Sequence, residues 1–156
     1  GSRRFGALLC LGNSLPHVLS EAGLRAVLGD FAACLRLGGT LLLQNRNFDA
    51  VMMRRERWME PQSHREGQRE WLFLRFYDYQ ADGLIAFNII NLRRDGDQPW
   101  EQRVMSTLLR PLLQEETARL LREVGFSPVT CYGDMSGSPF NPETSGNLVV
   151  IARLAD

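Results

Sequence analysis

A run of five apolar residues near the start of the chain most constrains its fold. Residues 7–11 read ALLCL, and no position among them is polar. A strand with one solvated face alternates apolar and polar residues, whereas an uninterrupted apolar run is typical of a strand covered on both faces. We therefore expect residues 7–11 to form an interior strand of a parallel sheet.

The segment after this run predicts a crossover to a second strand. Ser20 can cap a helix, Leu37-Gly38-Gly39 is predicted to end it, and residues 40–43 (TLLL) form another short apolar strand. A strand, a helix and a strand in this order predict a right-handed connection between parallel neighbours. The apolar positions that recur at helical spacing are Leu24, Val27, Leu28, Phe31, Ala32 and Leu35.

From Arg69 onward the pattern changes to long alternating segments, which are typical of antiparallel strands. We predict a meander with turns at residues 80–83 and 94–97, a return strand over 84–92 and a third strand over 100–109. After Pro111, a helix closed by Gly125 precedes strands at 129–132 and 147–152, which a long loop over 133–146 connects. The whole chain, 1–156, is predicted to be a single domain with an antiparallel insertion over 69–110.

Composition excludes several classes of partner. Eighteen basic residues balance eighteen acidic ones, so no net field attracts nucleic acid or an anionic membrane. The three cysteines are far apart and odd in number, which predicts core thiols rather than a metal site or disulfides. No apolar run approaches the roughly 20 residues that span a bilayer. We expect a cytoplasmic protein without nucleic acid, membrane or metal partners.

Polar residues follow both predicted parallel strands. Gly12-Asn13-Ser14 comes after the first strand, and Asn45-Arg46-Asn47 comes after the second. Ligands of parallel sheets bind outside the carboxyl ends of the strands, and adjacent strands lie about 4.8 Å apart, so Asn13 and Arg46 are expected to face one crevice. The guanidinium of Arg46 suits a carboxylate, and Gly12 allows a ligand to approach the backbone.

Three segments in succession carry a resemblance to a known family. Residues 11–17 (LGNSLPH), 35–39 (LRLGG) and 45–49 (NRNFD) resemble motifs of small-molecule methyltransferases, above all the glycine and sarcosine N-methyltransferase group. In that group a loop close to LGNS precedes a His, a helix ends in LRPGG, and a strand runs into a HRNYD-like segment. Leu37 and Phe48 depart from this pattern. Residues 121–126 (LREVGF) and 132–140 are similar to the last helix and closing hairpin of related enzymes.

The resemblance implies an α/β, Rossmann-like methyltransferase fold of class I with S-adenosylmethionine as cofactor. The chain is expected to be its C-terminal half, with parallel strands four and five, a closing antiparallel hairpin and the added meander. No acidic-x-Gly-x-Gly-x-Gly loop precedes Ala7, so we expect the N-terminal cofactor-binding half to be absent. The implied acceptor is a small amine or amino acid that bears a carboxylate. The implied site residues are Leu11, Gly12 and His17 for the cofactor, and Asn13, Arg46, Tyr77 and Tyr79 for the substrate.

Each of these assignments has a structural alternative. His17 is a weak candidate for a general base, because imidazole accepts protons near neutral pH, but it could equally bond to backbone at a helix entry. Arg46 could pair with Asp49 or Glu56, and Asn13 could cap the next segment. The tryptophans are expected to be buried for packing. The alternative function is a non-catalytic fragment or interaction module, and the open edge of strand 7–11 predicts a homo-oligomer.

Overall fold

The computed structural model describes residues 5–155, which form eight strands and three α-helices. The chain divides into two compact units, Gly1–Arg54 with Arg110–Asp156, and Arg55–Leu109. The elements in chain order are β1 (Phe5–Cys10), a 3-10 turn (Leu15–His17), α1 (Glu21–Cys34), β2 (Leu35–Arg46), α2 (Phe48–Arg54), β3 (Gln62–Glu66), β4 (Arg69–Tyr79), β5 (Ile85–Asp95), β6 (Glu101–Leu109), α3 (Gln114–Glu123), β7 (Phe126–Tyr132) and β8 (Asn147–Leu154).

The first unit is built on a sheet with the strand order β1-β2-β8-β7. The β1–β2 pair is parallel, whereas β8 runs antiparallel to both β2 and β7. This is the predicted arrangement of two parallel strands joined by a helical crossover and closed by an antiparallel hairpin. The sequence-based prediction of this α/β fold is therefore confirmed.

Helix α1 follows the predicted apolar spacing. The Ser20 hydroxyl accepts a hydrogen bond from the Gly23 backbone N–H at 3.1 Å, so the predicted cap is formed. Leu24 and Leu28 are each 1% exposed and belong to a core cluster that also includes residues of β2, α3 and β8. The core of this unit thus lies between one face of its sheet and the helices.

The predicted end of α1 was wrong. The helix ends at Cys34 and β2 begins at Leu35, which is fully buried, so Leu37-Gly38-Gly39 lies inside a strand of twelve residues rather than after a helix. Gly38 has a φ of +69°, and the register of β1 against β2 shifts between Phe5 and Ala7. The two glycines therefore form an irregularity in β2. The positive φ of Gly38, which glycine adopts without strain, lets the strand continue beyond this irregularity.

Strand β1 differs from the prediction in its bounds and in its burial. It spans Phe5–Cys10 rather than 7–11, and Leu11 lies beyond its end. Leu8 and Cys10 pack against the core, but Leu9 is 60% exposed. Among the described residues β1 lies at the edge of its sheet and is covered on one face, so the predicted burial on both faces is wrong.

The second unit is an antiparallel sheet with the order β3-β4-β5-β6. The predicted meander is confirmed for β4, β5 and β6, and the Gly83 N–H donates to the Gln80 carbonyl in the predicted turn. Strand β3 was not predicted, since its five residues QSHRE are all polar and exposed. β5 continues to Asp95, three residues beyond the predicted end.

The burial of two tryptophans and one cysteine differs from the sequence-based expectation. Trp58 and Trp100 are 58% and 42% exposed rather than buried, and the Trp100 ring lies 4.8 Å from the guanidinium carbon of Arg94. Cys34 is exposed, so it is not a core thiol.

Within residues 5–155, no helix is both long and apolar enough to cross a membrane.

Candidate functional site

The carboxyl ends of β1 and β2 meet at one edge of the sheet, and a side chain joins them. The Asn13 Oδ1 accepts a hydrogen bond from the Arg46 backbone N–H at 2.9 Å, and the Asn13 N–H donates to the Gln44 carbonyl at 3.2 Å. Asn13 has a φ of +61°, a conformation that asparagine adopts more readily than most residues. The structure thus brings the two predicted residues Asn13 and Arg46 together.

Gln44 is a second link between the two strand ends, and sequence reasoning missed it. Its Oε1 accepts from the Gly12 N–H at 2.8 Å, and its Nε2 donates to the Asn147 Oδ1 at 2.8 Å. One amide therefore ties the loop after β1 to the start of β8. The available signal was a glutamine that ends the apolar run of β2, next to residues already selected.

The Arg46 side chain is exposed at this edge. Asp49, the pairing alternative within the first unit, does not bind it; the Asp49 Oδ2 instead accepts from the Gln114 backbone N–H at 3.0 Å. In the described part of the chain Arg46 makes no salt bridge. An exposed guanidinium without an internal carboxylate can bind the carboxylate of a ligand.

Asn47 fixes the long loop next to the site. Its side chain is buried, and its Nδ2 lies 3.0 Å from the Pro142 carbonyl and 2.9 Å from the Ser145 carbonyl, with a longer contact to Asn141. Its Oδ1 accepts from the Ala50 N–H in the first turn of α2. Asn47 is therefore a structural anchor that holds the loop over 133–146 against the end of β2.

Asn45 lies between Gln44 and Arg46 and differs from its neighbours. Its side chain is 1% exposed, and neither Nδ2 nor Oδ1 has a hydrogen-bond partner within residues 5–155. A buried amide without partners costs about 1–3 kcal/mol of folding free energy. The sequence pattern predicted Asn45 in a loop after a strand, but the structure places it inside β2.

The predicted cofactor residues lie in the loop after β1. Leu11 is 40% exposed, and Gly12 has a φ of +73° with open space where a Cβ would lie. His17 ends the 3-10 turn, has an exposed side chain, and donates its backbone N–H to the Ser14 carbonyl at 3.3 Å. All three residues border the same loop as Asn13.

The two predicted aromatic residues belong to the second unit. Tyr77 is 4% exposed and lies 5.5 Å from the Phe87 ring, whereas the Tyr79 hydroxyl donates to the Glu56 carbonyl at 3.1 Å. The two tyrosine rings meet edge-on at 6.3 Å, because residues two apart in β4 share a face of the sheet. Both residues lie on one face of this sheet, and their assignment to the substrate stays a prediction.

One titratable group near the strand ends is perturbed. Burial raises the pKa of the Asp49 carboxyl above its ordinary value, and the hydrogen bond from the Gln114 N–H opposes this in part. Asp49 lies in the first turn of α2 and contacts the start of α3. The Asp49 carboxyl therefore links the first turn of α2 to the start of α3.

No protein-family model matches the chain. It is 32% identical over 135 residues to a glycine/sarcosine N-methyltransferase of Aphanothece halophytica, a match that covers 84% of this chain and 45% of the relative. A glycine/sarcosine N-methyltransferase of Halorhodospira halochloris is 30% identical over 135 residues, with 86% and 46% covered. The chain thus spans less than half the length of these relatives.

Solved structures agree on the fold. The chain superposes on DesVI of Streptomyces venezuelae with a TM-score of 0.78 at 16% identity, covering 98% of this chain and 60% of DesVI. An S-adenosylmethionine-dependent methyltransferase from Clostridium acetobutylicum gives a TM-score of 0.75 at 12% identity, covering 99% and 60%. By sequence and by fold, the chain is related to the glycine/sarcosine N-methyltransferases and has the Rossmann-like fold of the S-adenosylmethionine-dependent methyltransferases.

Proposed function

We propose that the protein carrying this chain transfers a methyl group from S-adenosylmethionine to a small amine that bears a carboxylate. In this proposal the chain supplies the acceptor side of the site. The observation that carries it is the 2.9 Å hydrogen bond between the Asn13 Oδ1 and the Arg46 N–H, which joins two strand ends beside an exposed guanidinium. The sequence similarity to glycine/sarcosine N-methyltransferases supports the choice of a carboxylate acceptor.

The loop after β1 fits a methyl donor. No heavy atom lies within 4 Å of the position that a Gly12 Cβ would occupy, so a ligand can approach the backbone closely there. Leu11 is 40% exposed and offers an apolar wall beside that space. Leu11, Gly12 and His17 would hold the donor, which when bound supplies a methyl group on a positively charged sulfur.

The chain's own residues then act by placement. Arg46 binds the acceptor carboxylate through its guanidinium fork, and Asn13 fixes the backbone of Arg46 relative to the donor loop. Gln44 holds the Gly12 backbone from the same strand, so donor and acceptor contacts share one rigid support. Methyl transfer needs little beyond such alignment, because proximity and orientation supply much of the acceleration.

Steady-state methylation by the complete protein tests the role of Arg46. Arg46→Gln is expected to raise the KM for glycine and sarcosine by roughly tenfold or more, since charged hydrogen bonds contribute about 1.5–3 kcal/mol. The KM for methylamine, which has no carboxylate, is expected to stay unchanged. Arg36→Gln is the matched control, because Arg36 is exposed near the opposite end of β2. An unchanged KM for every carboxylate acceptor in Arg46→Gln contradicts the proposal.

His17 is a candidate general base for the acceptor ammonium. Its side chain is exposed, so bulk water reaches the same position and can take the proton instead. We expect His17→Gln to keep kcat within about threefold and to leave the pH dependence of kcat unaltered. A loss of the acidic limb of that profile in His17→Gln would assign the proton transfer to His17.

A second candidate function is an interaction module without catalysis, which the edge position of β1 favours. Phe5 and Leu9 are each 60% exposed on this strand, and its outer edge has no partner strand among the described residues. Calorimetry of the isolated chain with S-adenosylmethionine separates the two functions. Binding at micromolar affinity contradicts the module, whereas an absence of heat leaves it standing for the isolated chain.

A further inference from the structure

The second unit contains a pocket that the proposed methyl transfer does not use. It has a volume of about 300 Å³, within the range of small-molecule sites, and lies on one face of the antiparallel sheet. All four strands contribute to its lining. The lining residues are paired directly across neighbouring strands, and residues paired in this way lie on the same face of an antiparallel sheet. The lining residues are Gln62, Phe73, Arg75, Ile89, Asn91 and Met105.

Two polar atoms of this pocket are buried without partners. The Arg75 Nε and the Asn91 Oδ1 lack hydrogen bonds within residues 5–155, one being a donor and the other an acceptor. Arg75 also forms no salt bridge in the described part of the chain. Leaving such groups unpaired costs free energy, so their presence in one pocket points to a ligand that pairs with them.

The opposite face of the same sheet provides a comparison. There the Asn88 Nδ2 donates to the Asp78 Oδ2 at 3.0 Å, and the Asn88 Oδ1 accepts from the Ser106 hydroxyl at 2.7 Å. Likewise the Arg94 Nη2 lies 2.6 Å from the Glu70 Oε2. An asparagine and an arginine of β5 are thus paired on one face, whereas Asn91 and Arg75 on the pocket face are not.

The two groups set the chemistry of the ligand. Arg75 is opposite Ile89, and Asn91 is opposite Phe73, so Arg75 and Asn91 are diagonal neighbours on one face of the sheet. A guanidinium suits a carboxylate, and an amide oxygen accepts from a hydroxyl or amine. Phe73, Ile89 and Met105 supply apolar contacts between them.

We propose that this pocket binds a small organic carboxylate that carries a hydroxyl or amino group at the other end of an apolar body. Arg75 binds the carboxylate, Asn91 accepts a hydrogen bond from the distal donor, and the apolar side chains contact the body of the ligand. This binding is independent of the proposed methyl transfer, because it uses no residue of the Asn13 and Arg46 site.

Isothermal titration calorimetry of the full chain with 4-hydroxybenzoate tests the proposal, because this probe places a hydroxyl opposite a carboxylate across a ring. Saturable binding in the millimolar range or tighter is expected. Arg75→Gln and Asn91→Leu should each weaken it by roughly tenfold. Arg65→Gln is the matched control, since the Arg65 side chain is 68% exposed and lies outside the pocket. No saturable binding to the wild type, or equal affinity in all three variants, overturns the proposal.

Analogues of the probe and the stability of the variants distinguish a ligand site from a structural role. The affinity for benzoate, which has no hydroxyl group, should be the same in Asn91→Leu as in the wild type. The affinity for 4-hydroxybenzyl alcohol, which has no carboxylate, should be the same in Arg75→Gln as in the wild type. Asn91→Leu should bind 4-hydroxybenzoate more weakly than the wild type. Its thermal unfolding midpoint should not fall, because the Asn91 Oδ1 has no partner to lose in the described chain. A lower unfolding midpoint in Asn91→Leu, together with an unchanged affinity for 4-hydroxybenzoate, contradicts the assignment of Asn91 as a ligand-binding residue. If Arg75→Gln does not fold, Asn91→Leu and the analogues decide the outcome.

Discussion

The side-chain oxygen of Asn13 accepts a hydrogen bond from the backbone N–H of Arg46 at 2.9 Å, across 33 residues of sequence. This contact joins the loop after β1 to the last residue of β2. It places a residue from each strand end at one edge of the sheet, where ligands of parallel sheets bind. Asn13 therefore helps to fix the Arg46 backbone at this edge.

Asn13→Ala is expected to lower the free energy of unfolding by about 1–2 kcal/mol. The substitution removes the hydrogen bond to the Arg46 N–H, and it places alanine at a φ of +61°, where a Cβ is strained. Asn13→Gly should cost less, because glycine adopts this φ freely and only the hydrogen bond is lost. Urea denaturation measures both variants. Equal losses in alanine and glycine would show that backbone strain at residue 13 is negligible.

Two buried asparagines, Asn45 and Asn47, are expected to respond to leucine substitution in opposite ways. Asn47→Leu should lower the free energy of unfolding by roughly 2–4 kcal/mol, because it strips the Nδ2 bonds to the Pro142 and Ser145 carbonyls. Asn45→Leu should leave stability unchanged or raise it by up to about 1–3 kcal/mol, since its amide has no partner in residues 5–155.

Limited proteolysis of the loop over 133–146 adds a local measurement to this pair of variants. Asn47→Leu should expose the loop to cleavage, whereas Asn45→Leu should leave the cleavage rate at the wild-type value. A large loss of stability in Asn45→Leu would mean that water or a ligand binds the Asn45 amide in solution, and it would contradict the expectation that the amide is unpaired.

The raised pKa of Asp49 predicts a pH-dependent effect of Asp49→Asn. Its carboxyl holds its proton to a higher pH in the folded chain than in the unfolded chain, where an aspartate has a pKa of about 3.9. The folded state therefore binds more protons in this window, and the wild type loses stability as the pH rises through it. The asparagine cannot ionise and still offers an acceptor to the Gln114 N–H.

The free energy of unfolding of Asp49→Asn, relative to that of the wild type, should consequently be higher at about pH 7 than at about pH 3. Urea denaturation at the two pH values measures the difference. Asp30→Asn, an exposed position on α1, is the control and should show no such gain. A relative loss for Asp49→Asn at neutral pH would mean that the charge of Asp49 at the start of α2 stabilises the fold more than its burial costs.

The exposed edge of β1 predicts self-association. The wild-type chain should show a mass in light scattering that rises with concentration, and Leu9→Lys should reduce it, because a lysine on an edge strand opposes pairing between chains. Met135→Lys is the matched control, since Met135 is also 60% exposed but lies in a loop. A monomeric wild type whose β1 amides exchange rapidly with solvent would contradict this prediction.

Local patterns in the sequence determined much of the fold. The apolar spacing of Leu24 and Leu28, the Ser20 cap and the alternation of β4 depend on near neighbours, so they predicted the elements that the structure contains. Polar residues after two apolar strands also predicted that Asn13 and Arg46 meet, because the ends of neighbouring parallel strands share an edge. The assignment of site roles to these residues stays a prediction.

Only the tertiary structure decided which groups are paired and which are not. Gly38-Gly39 resembles a helix end, but pairing of β1 with Leu35 draws the segment into β2. Asn45 and Asn47 have the same side chain two positions apart, yet one meets carbonyls 95 and 98 residues away and the other meets none in the described chain. Such contacts depend on distant segments whose placement no local pattern specifies, and for that reason the unpaired Arg75 and Asn91 also became visible only in the folded sheet.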